Sequence, residues 1–287
     1  MRRLAALLAA LLLAAPALAE PAAVLPGSKL IRSYESETLN YTIERFLLDG
    51  VTCYLTRVTM ADPGRQIRKA TAKWRKDIRV PSEIAKRLDS LPALVINGSG
   101  YVSPTYPGIP DNYPGVSRDY FYTSLGSLVI TDGEVKRNLE GVDFYGLTLQ
   151  KDGLHLHVGE RNEDVLAQEP SQSWAFYVKC PLIRDGEIIL DREWEWANRK
   201  ALRNIIMDMG GGTYLDLMVT DKSGRGLTVV RCTDFIQETF HPLWAYNLDG
   251  GPSVALLARK KGDRKLKTVY GNNSKDFDIM AFYELED

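Results

Sequence analysis

The chain has 287 residues, of which 45% are hydrophobic and 25% charged, with 36 basic against 37 acidic side chains. This usage excludes disorder, a collagen-like repeat and a disulfide-dense mini-scaffold, and the length suffices for a core that needs no staples. A formal net charge of −1 carries no basic excess of the kind nucleic acid attracts, so no nucleic-acid partner is expected.

Residues 1–19 read as a secretory signal peptide: Arg2 and Arg3, a Leu/Ala run, then Ala17-Leu18-Ala19 as the cleavage site. The expected address is therefore outside the cytoplasm, periplasmic or extracellular, with cleavage after Ala19. No other long apolar stretch follows, so no membrane-spanning segment is expected in the mature chain. Cys53, Cys180 and Cys232 are an odd number, which allows one disulfide at most; they read as three buried thiols.

Residues 20–50 are polar and mixed and read as an N-terminal arm. From residue 51 to 287 no Pro-, Gly- or Ser-rich linker intervenes, so one domain is expected there. Strands are expected at 94–97, 127–131, 147–151, 175–180, 204–209, 214–221 and 227–232, each rich in β-branched, leucine or aromatic residues. Asp132-Gly133, Asp152-Gly153 and Asp185-Gly186 sit between such runs, and Asp-Gly tolerates the positive φ of a tight hairpin. Helices are fewer: 83–88 capped by Ser82, 163–168 capped by Asn162, and one opening at Thr233 or Asp234 and ending at His241 before Pro242. The expected class is α+β, a strand-rich mixed or antiparallel sheet core flanked by a few helices.

Common catalytic signatures are missing from the sequence: no zinc-helix motif, nucleophile elbow or Walker loop occurs. His155 and His157 share one face of a strand and read as a polar face rather than a metal pair. Asp208-Met209-Gly210-Gly211-Gly212-Thr213 is similar to a phosphate-contacting turn of actin-like ATPases, yet reads better as a glycine turn between two strands. Leu94–Asn97 followed by Gly98-Ser99-Gly100, and Trp244–Asn247 followed by Leu248-Asp249-Gly250-Gly251-Pro252-Ser253, share a plan of strand, amide, glycines and hydroxyl. An amide and a carboxylate at strand ends suit sugar hydroxyls and proton transfer to or from oxygen.

These segments resemble the phosphodiester glycosidase family in order along the chain. Ala61-Asp62-Pro63, Pro81-Ser82-Glu83, Ile96-Asn97-Gly98, the 127–135 hairpin, Pro181-Leu182-Ile183-Arg184-Asp185-Gly186, Asn247-Leu248-Asp249-Gly250-Gly251 and segment 269–274 each match a family element. Ser99, Met207 and Pro252 depart from it. The resemblance implies an exported hydrolase that cleaves the glycosidic C–O bond of a sugar-1-phosphodiester in a glycan or glycopolymer. It implies Asp249 as the catalytic carboxylate and Arg203 as the phosphate ligand. Asn97 and Asn247 would bind sugar hydroxyls, Gly98, Gly250 and Gly251 would admit the ligand to the backbone, and Ser253 would add a donor. Asp119, Asp143 and Asp208 are candidates for a second acid or base. The sequence demands no cofactor and leaves calcium open. The alternative reading is an exported cell-wall or exopolysaccharide glycan-binding protein using the same pocket without cleavage.

Overall fold

A computed structural model describes residues 25–74, 76–101, 124–176, 179–220, 226–271 and 273–285. In chain order its strands are β1 (Lys29–Glu35), β2 (Leu39–Leu48), β3 (Val51–Met60), β4 (Ile67–Thr71), β5 (Leu94–Asn97), β6 (Leu128–Thr131), β7 (Glu134–Asn138), β8 (Asp143–Gln150) and β9 (Gly153–Arg161). They continue as β10 (Gln172–Ala175), β11 (Pro181–Arg184), β12 (Glu187–Ile188), β13 (Arg203–Asp208), β14 (Thr213–Val219), β15 (Trp244–Asn247), β16 (Leu256–Ala258), β17 (Lys267–Tyr270) and β18 (Asp278–Phe282). The α-helices are α1 (Pro63–Gln66), α2 (Pro81–Ala85), α3 (Asn162–Leu166) and α4 (Val229–Phe240).

The strands form an eight-stranded sheet ordered β1-β2-β3-β14-β13-β15-β11-β12 and a five-stranded sheet ordered β17-β16-β5-β18-β4, with smaller sheets β10-β8-β9 and β6-β7. Every pairing among the described strands is antiparallel. The α+β class expected from the sequence is what the chain adopts.

Period-two alternation sorts β13 and β14 onto two cores. Ile206, Tyr214 and Met218 face a core shared with Leu94, Ile96, Trp174, Leu256, Met280 and Phe282, which lies between the large and the five-stranded sheets. Ile205, Met207, Leu215, Leu217 and Val219 face the opposite way, under Val229, Cys232 and Ile236 of α4. The five-stranded sheet is covered in turn by Ile84 and Ala85 of α2. The large sheet and the five-stranded sheet therefore lie between α4 and α2. Both faces of the central strands are buried, which is why their sequences read as continuous apolar runs.

Several local expectations are corrected. Residues 29–48 are not an arm: β1 and β2 belong to the large sheet, with β2 paired to β3 along its whole length from Leu39↔Met60 to Leu48↔Val51. Residues 227–232 are not a strand. Thr228 caps α4, its hydroxyl accepting the Arg231 N–H at 3.0 Å. Val229, Cys232, Thr233 and Ile236 then form a helical stripe against the sheet, and that burial overrides the β propensity of Thr228, Val229 and Val230. The cap of α2 is Val80 and that of α3 is Arg161, neither with a side-chain cap bond, so Ser82 and Asn162 lie inside their helices. Strand 175–180 is shorter than expected: β10 ends at Ala175. Residues 1–19, with the expected signal peptide, and Asp119 lie outside the described residues.

The three Asp-Gly pairs do close hairpins, β6–β7, β8–β9 and β11–β12. At Asp132-Gly133 and Asp185-Gly186 both residues take positive φ. All three cysteines are free and buried, and burial pushes the Cys232 thiol up to about 12.

Asp216 of β14 faces the core between the sheets. It is buried, directly opposite Thr56 of β3, and neither of its carboxyl oxygens has a hydrogen-bond partner. Burial pushes its carboxyl well above the ordinary range. A carboxyl whose folded pKa is raised supports folding fully below its unfolded value and loses that support as pH rises through the folded value. Asp216→Asn is therefore expected to unfold at higher urea than the parent at pH 8, with the gain vanishing near pH 4. A variant less stable than the parent at both pH values contradicts this.

Candidate functional site

The site forms where the C-terminal end of β5 meets the turn after β15. Asn97, the last residue of β5, is fully buried. Its amide donates to the Asp249 carbonyl at 2.8 Å, and its side-chain oxygen accepts from Asn204 Nδ2 at 2.8 Å and from the Ala255 N–H at 3.1 Å. The Asp249 N–H donates to the Gly98 carbonyl at 3.1 Å. Asn97 therefore ties together three chain segments and holds the backbone of Asp249. Its side chain is fully buried, with two donors on its oxygen and the Asp249 carbonyl on its nitrogen, so where a contact with a sugar hydroxyl was expected the structure gives it a positioning role. Asn247 is buried likewise, its amide donating to the Leu248 carbonyl at 2.6 Å.

Asp249 itself is half-buried at the turn. The Gly250 N–H donates to its Oδ1 at 2.9 Å. Burial pushes its carboxyl up to about 7, opposed by hydrogen bonds from Ser253 and the Gly250 N–H and reinforced by the negative charge of Asp278. A carboxyl held there exchanges protons near neutral pH, as acid–base chemistry requires.

Two further carboxyls stand beside it that the sequence reading missed. Asp278, the first residue of β18, is fully buried and ion-paired at 3.0 Å with Lys69 of β4, also fully buried. Asp278 Oδ1 also accepts the Ser99 N–H at 2.6 Å. Lys69 donates in addition to the Ser173 carbonyl and lies 5.6 Å from the centroid of the Trp174 ring. Asp276 is 1% exposed, and neither of its oxygens has a hydrogen-bond partner within bonding geometry. Burial and the charge of Asp249 push its carboxyl well up, with Ser253 opposing. Asp278 was legible in principle: it is a lone acid heading the apolar run Ile279-Met280-Ala281-Phe282, and a charge there needs a buried partner.

Glycine is required at two places. A Cβ on Gly98 would lie 2.0 Å from Asp278 Oδ1 and 2.9 Å from the Trp174 ring, and one on Gly250 would lie 2.7 Å from the Leu202 carbonyl oxygen. Gly98 and Gly250 thus serve close packing of the site. Gly251, at φ +60° with open space around it, starts the short turn Gly251–Ser253 that carries Pro252 and Ser253. Beside this turn opens a cleft of about 750 Å³, with Leu202, Pro252, Val254 and Tyr270 on its walls.

Arg203 is not at the cleft. Asn204 points toward Asn97, so by strand alternation Arg203 points to the opposite face of the sheet. There it is 1% exposed, its guanidinium 4.1 Å from the Trp196 ring centroid and donating to the carbonyls of Arg199 at 2.5 Å, Trp196 at 3.4 Å and Leu227 at 3.4 Å. Burial draws it down to about 10. The role expected for it, gripping phosphate, is corrected to bracing the Glu195–Asn198 turn against the sheet. Arg203→Ala is expected to lower unfolding free energy by about 3 kcal/mol, from the lost ring contact and three carbonyls left without donors. Urea denaturation checks the loss; an unchanged KM for substrate checks that no ligand contact went with it.

The other candidates lie elsewhere. Asp143 is exposed. Asp208 lines a separate cleft of about 290 Å³ with His155 and Gly210–Gly212, its Oδ1 accepting the Gly210 N–H at 2.8 Å. Two of the histidines are engaged, His155 with Asp152 at 2.7 Å and His157 with Thr148 and Glu160, each at 2.8 Å. Among the described residues no group of three or more His, Cys, Asp or Glu side chains is arranged to hold a metal ion.

A family model described as phosphodiester glycosidase matches residues 92–279. No curated protein matches by sequence. Among solved structures, the catalytic domain of zebrafish N-acetylglucosamine-1-phosphodiester alpha-N-acetylglucosaminidase, auto-inhibited by pro-peptide, superposes with a TM-score of 0.63 at 17% identity, over 90% of this chain and 89% of that one. A hypothetical protein from Synechocystis superposes with a TM-score of 0.53 at 15% identity, over 89% of this chain and 63% of that one. At these identities the structural matches speak to the fold.

Proposed function

Because the chain belongs to the phosphodiester glycosidase family, we propose that it hydrolyses the glycosidic C–O bond of a sugar-1-phosphodiester, with Asp249 as the reacting carboxylate. The observation that carries this reading is Asp249 itself: half-buried, held by Asn97 and Gly98 through its backbone, and pushed up to about 7.

In this reading the bond from the anomeric carbon to the phosphate oxygen breaks, and its electron pair leaves on that oxygen. A water oxygen bonds to the anomeric carbon and gives a proton to Asp249. Phosphate is a good leaving group, so acid assistance is needed less than in ordinary glycosidases, where a second carboxyl protonates the departing oxygen. The cleft beside Pro252 takes the sugar or the group beyond the phosphate.

Export through residues 1–19, to the periplasm or the outside of the cell, belongs to the same proposal. Its support is the arrangement of Arg2, Arg3, the Leu/Ala run and Ala17-Leu18-Ala19. Among the described residues no helix is long and apolar enough to cross a membrane.

One observation favours glycan binding without cleavage: no positively charged side chain is among the described residues lining the cleft. The test is release of reducing sugar from a panel of N-acetylglucosamine, glucose and galactose 1-phosphodiesters, with and without calcium. Release supports the hydrolase. A rise in melting temperature with ligand and no release supports the binding protein instead.

A further inference from the structure

β4 is the edge strand of the five-stranded sheet, and a second cleft of about 570 Å³ opens along it. That volume lies within the usual range of small-ligand sites, about 300–1,000 Å³. Arg65, Arg68, Arg87, Arg259 and Lys69 line it, against Asp89, Asp132 and Glu284. Several of these charges are already matched. The Lys69 ammonium is fully buried and belongs to Asp278. Arg65 lies 3.8 Å from Asp62. Glu284 is ion-paired with Lys261 and accepts from the Tyr34 hydroxyl at 2.5 Å. Asp132 is exposed and accepts from the Gln172 amide at 2.8 Å. Asp89 is exposed too. The unmatched remainder is cationic: Arg68, Arg87 and Arg259 donate to backbone carbonyls and have no carboxylate partner among the described residues.

These three arginines are held in place. Arg68 Nη1 donates to the Ile67 carbonyl at 3.0 Å, and Arg87 Nη1 to the Thr71 carbonyl at 3.1 Å. Arg259 donates through Nε to the Pro92 carbonyl at 3.1 Å, with its guanidinium 5.1 Å from the Tyr34 ring centroid. A guanidinium has five N–H donors in a rigid fork, so each bond braces the group and leaves other donors for a ligand. Bracing also lowers the entropy lost on binding. Charge on an edge strand keeps foreign strands away, but that role asks for neither a cleft nor a braced fork. Phosphate oxygens fit such a fork bidentately.

Spacing narrows the ligand. Arg68 and Arg87 are anchored at carbonyls four residues apart on β4, about 13 Å of extended strand. That separation exceeds one phosphate and suits anions repeated along a chain. Thr71 pairs with Asp278 of β18, so the cleft begins one strand away from the carboxyls beside Asp249. The cleft beside Pro252 has no positively charged side chain among its described residues.

We infer that the β4 cleft is an anion site for the phosphodiester groups of a glycopolymer away from the bond to be cleaved, with Arg68 and Arg87 gripping phosphate oxygens. This rests on the substrate being a sugar phosphodiester, and narrows it to a chain that carries more than one phosphate. No bond forms or breaks in this cleft; it holds the chain.

Calorimetry in an Asp249→Asn background, where the chain is not cleaved, tests this. The probes are a phosphodiester-linked tetrasaccharide, the neutral tetrasaccharide of the same sugar, and polyglutamate. The charged saccharide is expected to bind about tenfold or more tighter than the neutral one, with the advantage shrinking as salt is added. Adding Arg68→Gln and Arg87→Gln together should abolish that advantage. Equal affinity with and without the two arginines overturns the inference. Polyglutamate binding as tightly as the charged saccharide also overturns it, because the cleft would then be a general charged surface. Phenylglyoxal labelling of the parent, read by peptide mass spectrometry, decides the matter even where the arginine variant does not fold. The charged saccharide should shield Arg68 and Arg87 and leave the exposed Arg45 open to reagent; absence of shielding at both overturns the inference. Arginine-dependent binding in a protein that releases no sugar keeps the anion site and removes the hydrolase reading. Sugar release with arginine-independent binding does the reverse.

Discussion

Asp249→Asn is expected to cut sugar release by about 10²–10⁴-fold, the span that a positioned acid–base group contributes, while making the protein harder to unfold at alkaline pH. Asparagine has the same shape and retains an oxygen for the Gly250 N–H, so the turn that carries Ser253 has no reason to move. It cannot accept the proton of water. The stability side follows from the same carboxyl. Burial lifts Asp249 to about 7, above its unfolded value. Its support for folding is complete below about pH 4 and is lost as pH rises through about 7, where the folded state must hold an anion beside Asp278. Asparagine has no such loss. The melting temperature of the variant should match the parent near pH 4 and exceed it at pH 8. Opposite signs for activity and stability are the mark of a residue kept for chemistry. A variant that loses activity and also melts earlier at pH 8 would make Asp249 a packing residue, and the hydrolase reading would lose its carboxylate.

The sequence made the glycine turn at 250–251 and the asparagine at 97 conspicuous, because turns and strand ends have local signatures. It did not reveal what those residues face. Asn97 looks like a sugar ligand until the sheets are packed; then its amide proves to be bound to the Asp249 carbonyl and to Asn204, while Asn247 is buried and donates to the Leu248 carbonyl. Arg203 illustrates the limit best. One residue separates it from Asn204, and in a strand one residue is the difference between the two faces of the sheet. Asn204 reaches the site while Arg203 lies under Trp196 on the far side. Family resemblance located the segment and left the face undetermined.

The N-terminal strands were missed for a different reason. Asp49-Gly50 joins β2 to β3 with both residues at positive φ, the same hairpin signal that identifies β6–β7. Polar residues on the less buried face of β1 and β2 hid the alternation of Leu39, Tyr41, Ile43, Phe46 and Leu48 that carries them into the two cores. The carboxyl cluster was the least legible part. Asp249, Asp276 and Lys69 are far apart in sequence: β18 lying between β4 and β5 brings Lys69 to Asp278, and the bond from the Asp249 N–H to the Gly98 carbonyl brings the turn after β15 to the end of β5.

Lys69→Met should be the most damaging single substitution near the site. Methionine fills much of the lysine's volume against Trp174 and Phe277, so the packing loss is small and the charge loss dominates. Lys69 and Asp278 are both fully buried, so no water replaces the missing ammonium. Removing one partner of a buried pair leaves an uncompensated charge and costs about 3–5 kcal/mol. Here the stranded carboxylate would also face Asp249, and the Ser99 N–H would be its sole remaining donor. The second substitution decides whether charge is the cause. In Lys69→Met combined with Asp278→Asn, the anion is gone and the amide oxygen can still accept the Ser99 N–H. Most of the lost stability in urea should return, giving a large coupling energy between the two positions. A double variant as unstable as the sum of the two single ones would mean that Lys69 supports the fold through its stem and its bond to the Ser173 carbonyl, and that the pair does not set the charge beneath Asp249. With coupling confirmed, activity gives the last distinction: the double variant keeps Asp249 and Asp276 but removes the charge of Asp278, so the Asp249 carboxyl should titrate at lower pH and the kcat/KM profile should follow it.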